Sequence, residues 1–297
     1  MRIHRLVAAS VSGILLTSVV ASTAQAQTGG DKQYYVSVGD SYAMGYQPNG
    51  DLTHGYANQL VPKARKRGYD LTLVNYACGG ATTTSILEQK GCRKDARPVG
   101  GPVYRKLTQT QAAAKFLRHH RKDSVLLTIS IGGNDITACA RASDPIACVA
   151  ETVQSINANV TELAQRLRKA AGRKVLMVGL TYPDVLLGQW VREPVDQSIA
   201  ELSVLAFQQF INPALKTAYA SADGKFVDVT RATGAYGSLD RMTDFPPYGE
   251  IPVPVAKVCT LTWYCQKGDI HARTNGYGLM ARLINLRLPR LVTPGLG

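Results

Sequence analysis

Several short motifs that mark common enzyme classes are absent from residues 27–297. This segment contains no G-x-S-x-G, which argues against the α/β-hydrolase fold, and no glycine-rich phosphate-binding loop. It also lacks H-E-x-x-H and C-x-x-C, two frequent spacings of zinc ligands. These absences disfavour nucleotide-binding and zinc-dependent proteins.

Long apolar segments and acidic residues are also scarce. After the N-terminus no stretch approaches the length of about 20 apolar residues that a membrane-spanning helix needs. Asp and Glu number 21 against 34 Lys and Arg, which gives a formal charge of +13. With 297 residues, 45% of them apolar, the chain is not disordered and fits one large domain or two small ones. The charge alone would suggest a nucleic-acid partner, because basic proteins bind phosphate through counterion release.

The N-terminus has the three parts of an export signal. Arg2 and Arg5 precede an apolar run, Leu6–Val20, and Ala24–Ala26 has the small-x-small pattern of a cleavage site. The run is about 15 residues long, which is too short for a membrane anchor. We therefore expect residues 1–26 to be removed as a signal peptide, leaving a soluble protein of formal charge +11 outside the cell or in the cell envelope. In that setting we expect no nucleic-acid partner.

The six cysteines acquire a meaning from export. In an oxidising compartment an even number of cysteines is typical of a disulfide set, although six can pair in about 15 ways. They follow one another as three close couples, separated by 14, 9 and 6 positions. A metal site or a catalytic thiol is disfavoured, since no cysteine lies beside a histidine. We predict bridges that hold short loops still, with the pairs Cys78–Cys92, Cys139–Cys148 and Cys259–Cys265.

Short apolar runs alternate with longer segments of helical periodicity. Five runs predict strands, at Tyr34–Val38, Leu71–Tyr76, Val125–Ile131, Lys174–Leu180 and Lys225–Val229. Five segments predict helices, at Tyr56–Arg67, Leu107–His120, Ile146–Ala171, Pro194–Ala220 and Asn275–Arg287. Two segments are predicted as long surface loops, Arg97–Val103 and Ala232–Lys257. Continuous apolar strands alternating with helices predict a parallel sheet covered on both faces, so residues 27–297 are expected to form one α/β domain, a three-layer α/β/α sandwich.

Candidate functional residues follow the predicted strands, because ligands of such folds sit at the carboxyl ends of the strands. Gly39-Asp40-Ser41 follows the first strand and can present a serine hydroxyl at the start of a helix. Cys78–Thr83 follows the second and contains paired glycines, which allow backbone N–H groups to approach a ligand. Gly132–Asp135 follows the third and offers an asparagine amide. Taken alone, Gly39-Asp40-Ser41 is more often a simple helix cap, Cys78–Thr83 is an ordinary turn, and Gly132–Asp135 is equally typical of a turn.

Gly268–His271, before the last predicted helix, supplies an imidazole and a carboxylate. A lone histidine in such a position is more often structural than catalytic. His119 and His120 lie in a basic helix end that is most simply a solvated face. His54 follows the serine segment and has no identifiable partner in the sequence.

The joint order of these segments is far more specific than any one of them. Through Val36–Tyr42, Asn75–Thr83, Gly132–Asp135 and Gly268–His271, the chain resembles the SGNH (GDSL-type) hydrolases, most of all secreted actinobacterial esterases and lipases. These segments span nearly all of residues 27–297. The resemblance implies a flavodoxin-like sheet of five parallel strands, in agreement with the strand prediction.

The resemblance also implies a role for each matching position. Ser41 would be the nucleophile and His271 the general base. The backbone N–H groups of Ser41 and Gly80, with the side-chain amide of Asn134, would form the oxyanion hole for the tetrahedral intermediate. This chemistry requires no metal and no cofactor.

One position departs from the family pattern. The acid that orients the histidine usually lies three residues before it, and here that residue is Gly268. Asp269, two residues before His271, is the best side-chain candidate. Some relatives use a backbone carbonyl instead, so a carbonyl at residues 266–268 stays an alternative.

The leading functional hypothesis is a secreted serine carboxylic-ester hydrolase, a monomer acting on a small-molecule or lipid ester. A carbohydrate O-acetylesterase would use the same site. Leu186, Leu187 and Trp190, after the fourth strand, lean slightly toward lipid or short acyl esters.

A different class of protein is the second alternative. The basic clusters Lys63–Arg67 and Arg118–Lys122 would allow peripheral contact with anionic envelope material or a membrane surface. On that basis the chain could be a non-catalytic cell-envelope binding protein, with the site segments as inactive relics.

Overall fold

The central sheet of the computed structural model has five parallel strands in the order β2-β1-β3-β4-β5. The structure describes residues 32–137, 139 and 142–291. The predicted signal peptide, residues 1–26, lies outside the described residues. The strands are β1 (Gln33–Gly39), β2 (Leu71–Asn75), β3 (Ser124–Ser130), β4 (Leu176–Leu180) and β5 (Lys225–Val227).

Helices cover both faces of this sheet, which confirms the predicted α/β/α sandwich. The described residues form one compact unit. The helices are α1 (Ser41–Met44), α2 (Tyr56–Arg65), α3 (Thr83–Glu88), α4 (Gln109–His119), α5 (Gly133–Thr137), α6 (Pro145–Ala171), α7 (Gln197–Ala206), α8 (Asn212–Ala220), α9 (Val229–Ala232), α10 (Val253–Leu261), α11 (Tyr264–Lys267) and α12 (Thr274–Asn285). Among the described residues, no helix has the length and apolar character needed to cross a bilayer.

Successive residues of the strands point into two different cores, which explains their continuous apolar sequences. Val36 and Val38 of β1 pack into the core beneath α4, α6 and α8, whereas Tyr35 between them packs into the core beneath α2 and α12. Leu126 and Leu127 of β3 divide in the same way. A strand buried on both faces cannot alternate apolar and polar residues, so it reads as one apolar run.

Local sequence signals set the bounds of the helices that flank the site. Thr108 and Gln111 form a reciprocal capping box at the start of α4. The side chain of Asp144 accepts a hydrogen bond from the backbone N–H of Ala147, and Pro145 occupies the first turn of α6. These caps fix where two helices begin relative to the strand ends.

Two predicted segments differ from the structure. Residues 232–257, predicted as a loop, contain an antiparallel hairpin of β6 (Met242–Asp244) and β7 (Glu250–Pro252) and the start of α10. Each of these strands has three residues, too few to give a periodic pattern. The predicted helix over residues 194–220 is interrupted by a π-helical turn, Phe207–Ile211, between α7 and α8.

Three disulfides join the cysteines in the pairs that their spacing predicted. The bridges are Cys78–Cys92, Cys139–Cys148 and Cys259–Cys265. The first closes the segment that contains Gly80, and the third lies just before the loop that carries His271. Both therefore tie loops that border the carboxyl end of the sheet.

Candidate active site

Ser41 lies at the switch point of the sheet, where the chain order reverses between β1 and β3. It is the first residue of α1, and Asp40 caps that helix by accepting a hydrogen bond from the backbone N–H of Tyr42 at 2.9 Å. The side-chain amide of Gln109 binds both backbone groups of Gly39, at 2.7 and 3.0 Å. Contacts from α4 thus fix the backbone just before Ser41, and ligands of doubly wound sheets bind at this point.

The imidazole of His271 reaches Ser41 from the loop between α11 and α12. Its Nε2 lies 2.7 Å from Oγ of Ser41, a hydrogen-bond distance. The hydroxyl of Tyr42 donates to the carbonyl of Ile270 at 2.5 Å, and the ring of Tyr46 lies edge-on to the imidazole with centroids 4.5 Å apart. The loop is therefore held against α1, so the serine and histidine keep this separation.

Asp269 binds the other imidazole nitrogen. Its Oδ1 lies 2.8 Å from Nδ1 of His271 and also accepts the backbone N–H of His271 at 3.0 Å. Burial raises the pKa of Asp269, but the hydrogen bonds and positive charge of His271, with the charge of Lys267, outweigh it and hold the pKa below its usual value. In this structure a carboxylate oxygen, not a carbonyl of residues 266–268, is the hydrogen-bond partner of Nδ1.

Asn134 and the Gly80 turn lie side by side. The side-chain amide of Asn134 donates one hydrogen bond to the carbonyl of Ala81 at 2.8 Å, so one of its two N–H groups is occupied by the protein. The backbone N–H of Cys78 donates to the carbonyl of Gly39 at 3.0 Å. These two bonds tie the Gly80 turn to the ends of β1 and β3.

A carboxylate that the sequence analysis did not single out strengthens this arrangement. Asp135 accepts hydrogen bonds from the backbone N–H and the hydroxyl of Thr83, the latter at 2.6 Å. Asn159 of α6 donates to the same hydroxyl at 3.0 Å. Asn134 therefore binds one end of residues 81–83 and Asp135 binds the other. The sequence predicted a role only for Asn134.

The sequence indicates Asp40 only as a member of the Gly39-Asp40-Ser41 segment. In the structure it is a buried acid next to the serine. The hydroxyl of Tyr182 donates to Oδ2 of Asp40 at 2.6 Å, and both side chains are buried. Burial raises the pKa of Asp40 to about 6, although hydrogen bonds from Tyr182 and Tyr42 and the charge of His271 counteract it. Tyr182 comes two residues after β4, so the rule of examining strand ends could have found it.

A mostly apolar pocket, here named the proximal pocket, opens beside Ser41 and Asn134. With its open mouth counted, the pocket holds about 760 Å³ of space. Gly80 does not line this pocket and faces a neighbouring cleft instead. The apolar lining includes Ile136, Ile156, Leu186, Phe207, Ile211 and Leu215.

The remaining sequence candidates lie outside this pocket. His54 has a partner after all, since its Nδ1 lies 2.8 Å from the carboxylate of Asp51 on the surface. His119 and His120 lie at the end of α4. Of the three apolar residues noted after β4, only Leu186 lines the pocket; Leu187 and Trp190 pack into a separate core with α10.

The sequence between residues 37 and 277 matches the family model described as GDSL-like lipase/acylhydrolase. The chain belongs to this GDSL-like family. Membership makes it a carboxylic ester hydrolase, as the order of the four segments predicted. No curated protein matches the sequence.

Solved structures agree with the GDSL-like fold. A lipase from a goat rumen metagenome is 15% identical with a TM-score of 0.53, and the match covers 86% of this chain and 97% of that one. An extracellular lipase from Streptomyces rimosus is 19% identical with a TM-score of 0.51, covering 86% and 99% of the two chains. At these identities the similarity establishes the fold alone.

Proposed function

We propose that this GDSL-like hydrolase cleaves carboxylic esters through an acyl-enzyme on Ser41. The observation that carries the proposal is the unbroken hydrogen-bond chain from Asp269 through His271 to Oγ of Ser41, with links of 2.8 and 2.7 Å. A serine hydroxyl is a weak nucleophile unless a base accepts its proton, and a base is effective when a third group orients it. All three parts are present, and Ser41 lines the proximal pocket.

In the first half of the reaction, Oγ of Ser41 attacks the ester carbonyl carbon while Nε2 of His271 takes the hydroxyl proton. The carbonyl oxygen becomes an oxyanion, for which the N–H groups of Ser41, Gly80 and Asn134 are the proposed donors. The amide proton of Asn134 that does not bind Ala81 is the one available for this purpose. Collapse of the intermediate breaks the ester bond, and the leaving alkoxide takes the proton from His271.

In the second half, water hydrolyses the acyl-enzyme by the same route. His271 takes a proton from the water, the new hydroxyl bonds to the acyl carbon, and Ser41 leaves with the proton that His271 returns. The carboxylate of Asp269 stabilises the imidazolium that forms twice in each cycle. Its lowered pKa keeps it charged throughout the neutral range, as this role requires.

The direct test is the hydrolysis of p-nitrophenyl butyrate by single-residue variants. Ser41→Ala and His271→Ala should each lower kcat by at least about 10³-fold, because residues of a triad act as a unit. Ser198→Ala and His54→Ala are matched controls on the surface and should behave as wild type. Butyrate hydrolysis by Ser41→Ala at the wild-type rate would refute the mechanism.

Secretion is the second part of the proposal. It is supported by the signal-peptide pattern of residues 1–26 and by three disulfides, which persist in oxidising compartments. The expected mature N-terminus is Gln27. Mass spectrometry of the protein recovered from the culture medium tests this, and an intact Met1 there would contradict it.

Peripheral contact with an anionic membrane surface is the third part. A cleft between α4 and α6 is lined by Lys115, Arg118, Arg121, Arg166 and Lys169. Anionic headgroups attract such a cluster by about 1 kcal/mol per cation near the surface. The contact would add to the catalytic activity and would not replace it.

A further inference from the structure

A second apolar space, here named the distal chamber, borders the proximal pocket. The chamber encloses about 480 Å³ including its opening, and its own lining includes Cys139, Ile146, Val149 and Ala206. The bridge between Cys139 and Cys148 ties this wall to α6. No charged side chain lines it, so the chamber suits a hydrocarbon group better than a sugar or a headgroup.

The proximal pocket and the distal chamber share one wall. Ile136, Leu186, Phe207 and Ile211 line both spaces. Phe207 and Ile211 are the two ends of the π-helical turn between α7 and α8, and such turns occur often at functional sites. Phe207 also packs against both main cores, which hold its ring in the wall that the two spaces share.

The outer end of the chamber reaches the surface of α7. Leu202 lines the chamber and is 36% exposed, and Leu205, one turn further on, is 43% exposed. Apolar side chains thus dominate the lining of both spaces, and Leu202 brings the distal one to the surface.

We infer that the proximal pocket and the distal chamber together bind one medium- to long-chain acyl group, with its carbonyl at Ser41 and its methyl end beyond Phe207. This inference rests on the proposed ester hydrolysis and names its substrate class. An acetyl group would leave both spaces empty, whereas each methylene carried into them should raise kcat/KM by about fourfold. The π-helical turn is thus the element that sets acyl-chain length.

The test is the kcat/KM of wild type on p-nitrophenyl acetate, butyrate, octanoate and laurate, below their aggregation concentrations. Wild type should improve from acetate to octanoate and keep its activity on laurate. Ala206→Phe places a ring inside the distal chamber and should lower the laurate-to-butyrate ratio by at least about tenfold. Ser198→Phe adds the same ring to the exposed side of α7 and should leave the ratio unchanged.

A second variant guards against a folding defect. Ile146→Trp fills the chamber from the opposite wall, in α6, and should lower the same ratio. A wild-type profile that falls after butyrate, or chamber variants whose ratio equals that of Ser198→Phe, would overturn the inference. Both results leave Ser41-dependent butyrate hydrolysis intact, so they are distinct from a failure of the proposed mechanism, in which Ser41→Ala would retain activity.

Discussion

Asp269 shows how this chain reaches a triad geometry with an unusual spacing. Its Oδ1 accepts both the backbone N–H and the Nδ1–H of His271, a local turn in which a side chain binds the backbone two residues on. Because of that turn, the carboxylate reaches the imidazole from two residues before the histidine, whereas the usual family spacing is three residues. The acid therefore moves by one position along the sequence while its distance to Nδ1 stays at 2.8 Å.

Asp269→Asn is the substitution that tests this reading. It keeps the shape of the side chain but removes the charge that stabilises the imidazolium, so kcat on p-nitrophenyl butyrate should fall by about 10³- to 10⁴-fold. Asp51→Asn, in the exposed pair with His54, is the matched control and should retain full activity. A rate for Asp269→Asn within about threefold of the wild-type rate would favour a carbonyl as the orienting group.

The buried carboxyl group of Asp184 should make the stability of the fold depend on pH. The residue is fully buried, accepts one hydrogen bond from Ser203 at 2.9 Å, and has no partner among the described residues for its Oδ1. Burial raises its pKa to about 7, even though the hydrogen bond from Ser203 and the nearby backbone N–H groups of Leu186 and Leu187 lower it. The folded chain therefore binds a proton more tightly than the unfolded chain, and stability is lost as the pH rises from about 4 to about 7.

Asp184→Asn should remove this loss, because an amide does not ionise. At pH 8 the variant should be more stable than wild type by about 2 to 4 kcal/mol, and at pH 4 the two should be nearly equal. Urea unfolding at both pH values measures the difference. A variant that is less stable than wild type at pH 8 would show that the carboxylate contributes more by its hydrogen bonds than it costs by its charge.

At the scale of elements, two glycines near strand ends are needed for different structural reasons. Gly39 has φ +146°, and a Cβ there would lie 2.0 Å from the carbonyl oxygen of Ser130 in the adjacent strand. Gly80 has φ +80°, and a Cβ there would meet nothing within 4 Å. The first glycine is thus required for β1 to pair with β3, and the second only for the shape of its turn.

Alanine at these two glycines should separate stability from activity. Gly39→Ala should destabilise the fold by more than about 3 kcal/mol, since backbone atoms must move. Gly80→Ala should cost about 1 to 2 kcal/mol of strain, and relief of that strain would turn the Gly80 N–H away from the oxyanion, lowering kcat by about tenfold or more. Urea unfolding and butyrate kinetics check both; equal effects of the two substitutions on stability would contradict this account.

The elements that the sequence could predict are those whose signal is local. All five strands of the main sheet were predicted to within two residues, because a strand buried on both faces is a continuous apolar run. The hairpin at residues 242–252 and the π-helical turn were not predicted. Strands of three residues have no period, and a single extra residue in a helix turn leaves the apolar pattern almost unchanged.

The residues of the site also divide into those with a local sequence signal and those without one. Ser41, Asn134 and His271 follow strands or precede a helix, so the fold alone directs attention to them. The bond between Tyr182 and Asp40 joins residues 142 positions apart and has no local signal. Contacts of that kind are decided by packing, and a single sequence does not contain them.

For the whole molecule, part of the surplus positive charge has a structural use. The guanidinium of Arg121 binds the carbonyls of Lys169 and Ala170 at the end of α6, and that of Arg67 binds the carbonyl of Asn285 at the end of α12. Cations at helix C-termini are favourable because the last carbonyls lack partners. These two arginines therefore belong to the fold as well as to the basic clusters.

The other cations of the α4–α6 cleft provide the test of surface contact. Arg118→Glu combined with Lys169→Glu should weaken sedimentation with phosphatidylglycerol vesicles, and added salt should weaken it for wild type as well. Lys32→Glu with Lys225→Glu makes the same change of net charge at exposed positions elsewhere and should have a smaller effect. Equal effects of the two pairs would mean that net charge, and not the cleft, governs binding.

The most direct measurement of the central claim is covalent labelling of the folded protein by a fluorophosphonate. Such a probe reacts with a serine only when a base activates its hydroxyl. We predict a single adduct, located on Ser41 by peptide mass spectrometry and absent from Ser41→Ala and His271→Ala. A folded wild-type protein that takes no label, or takes it on another residue, would contradict the account.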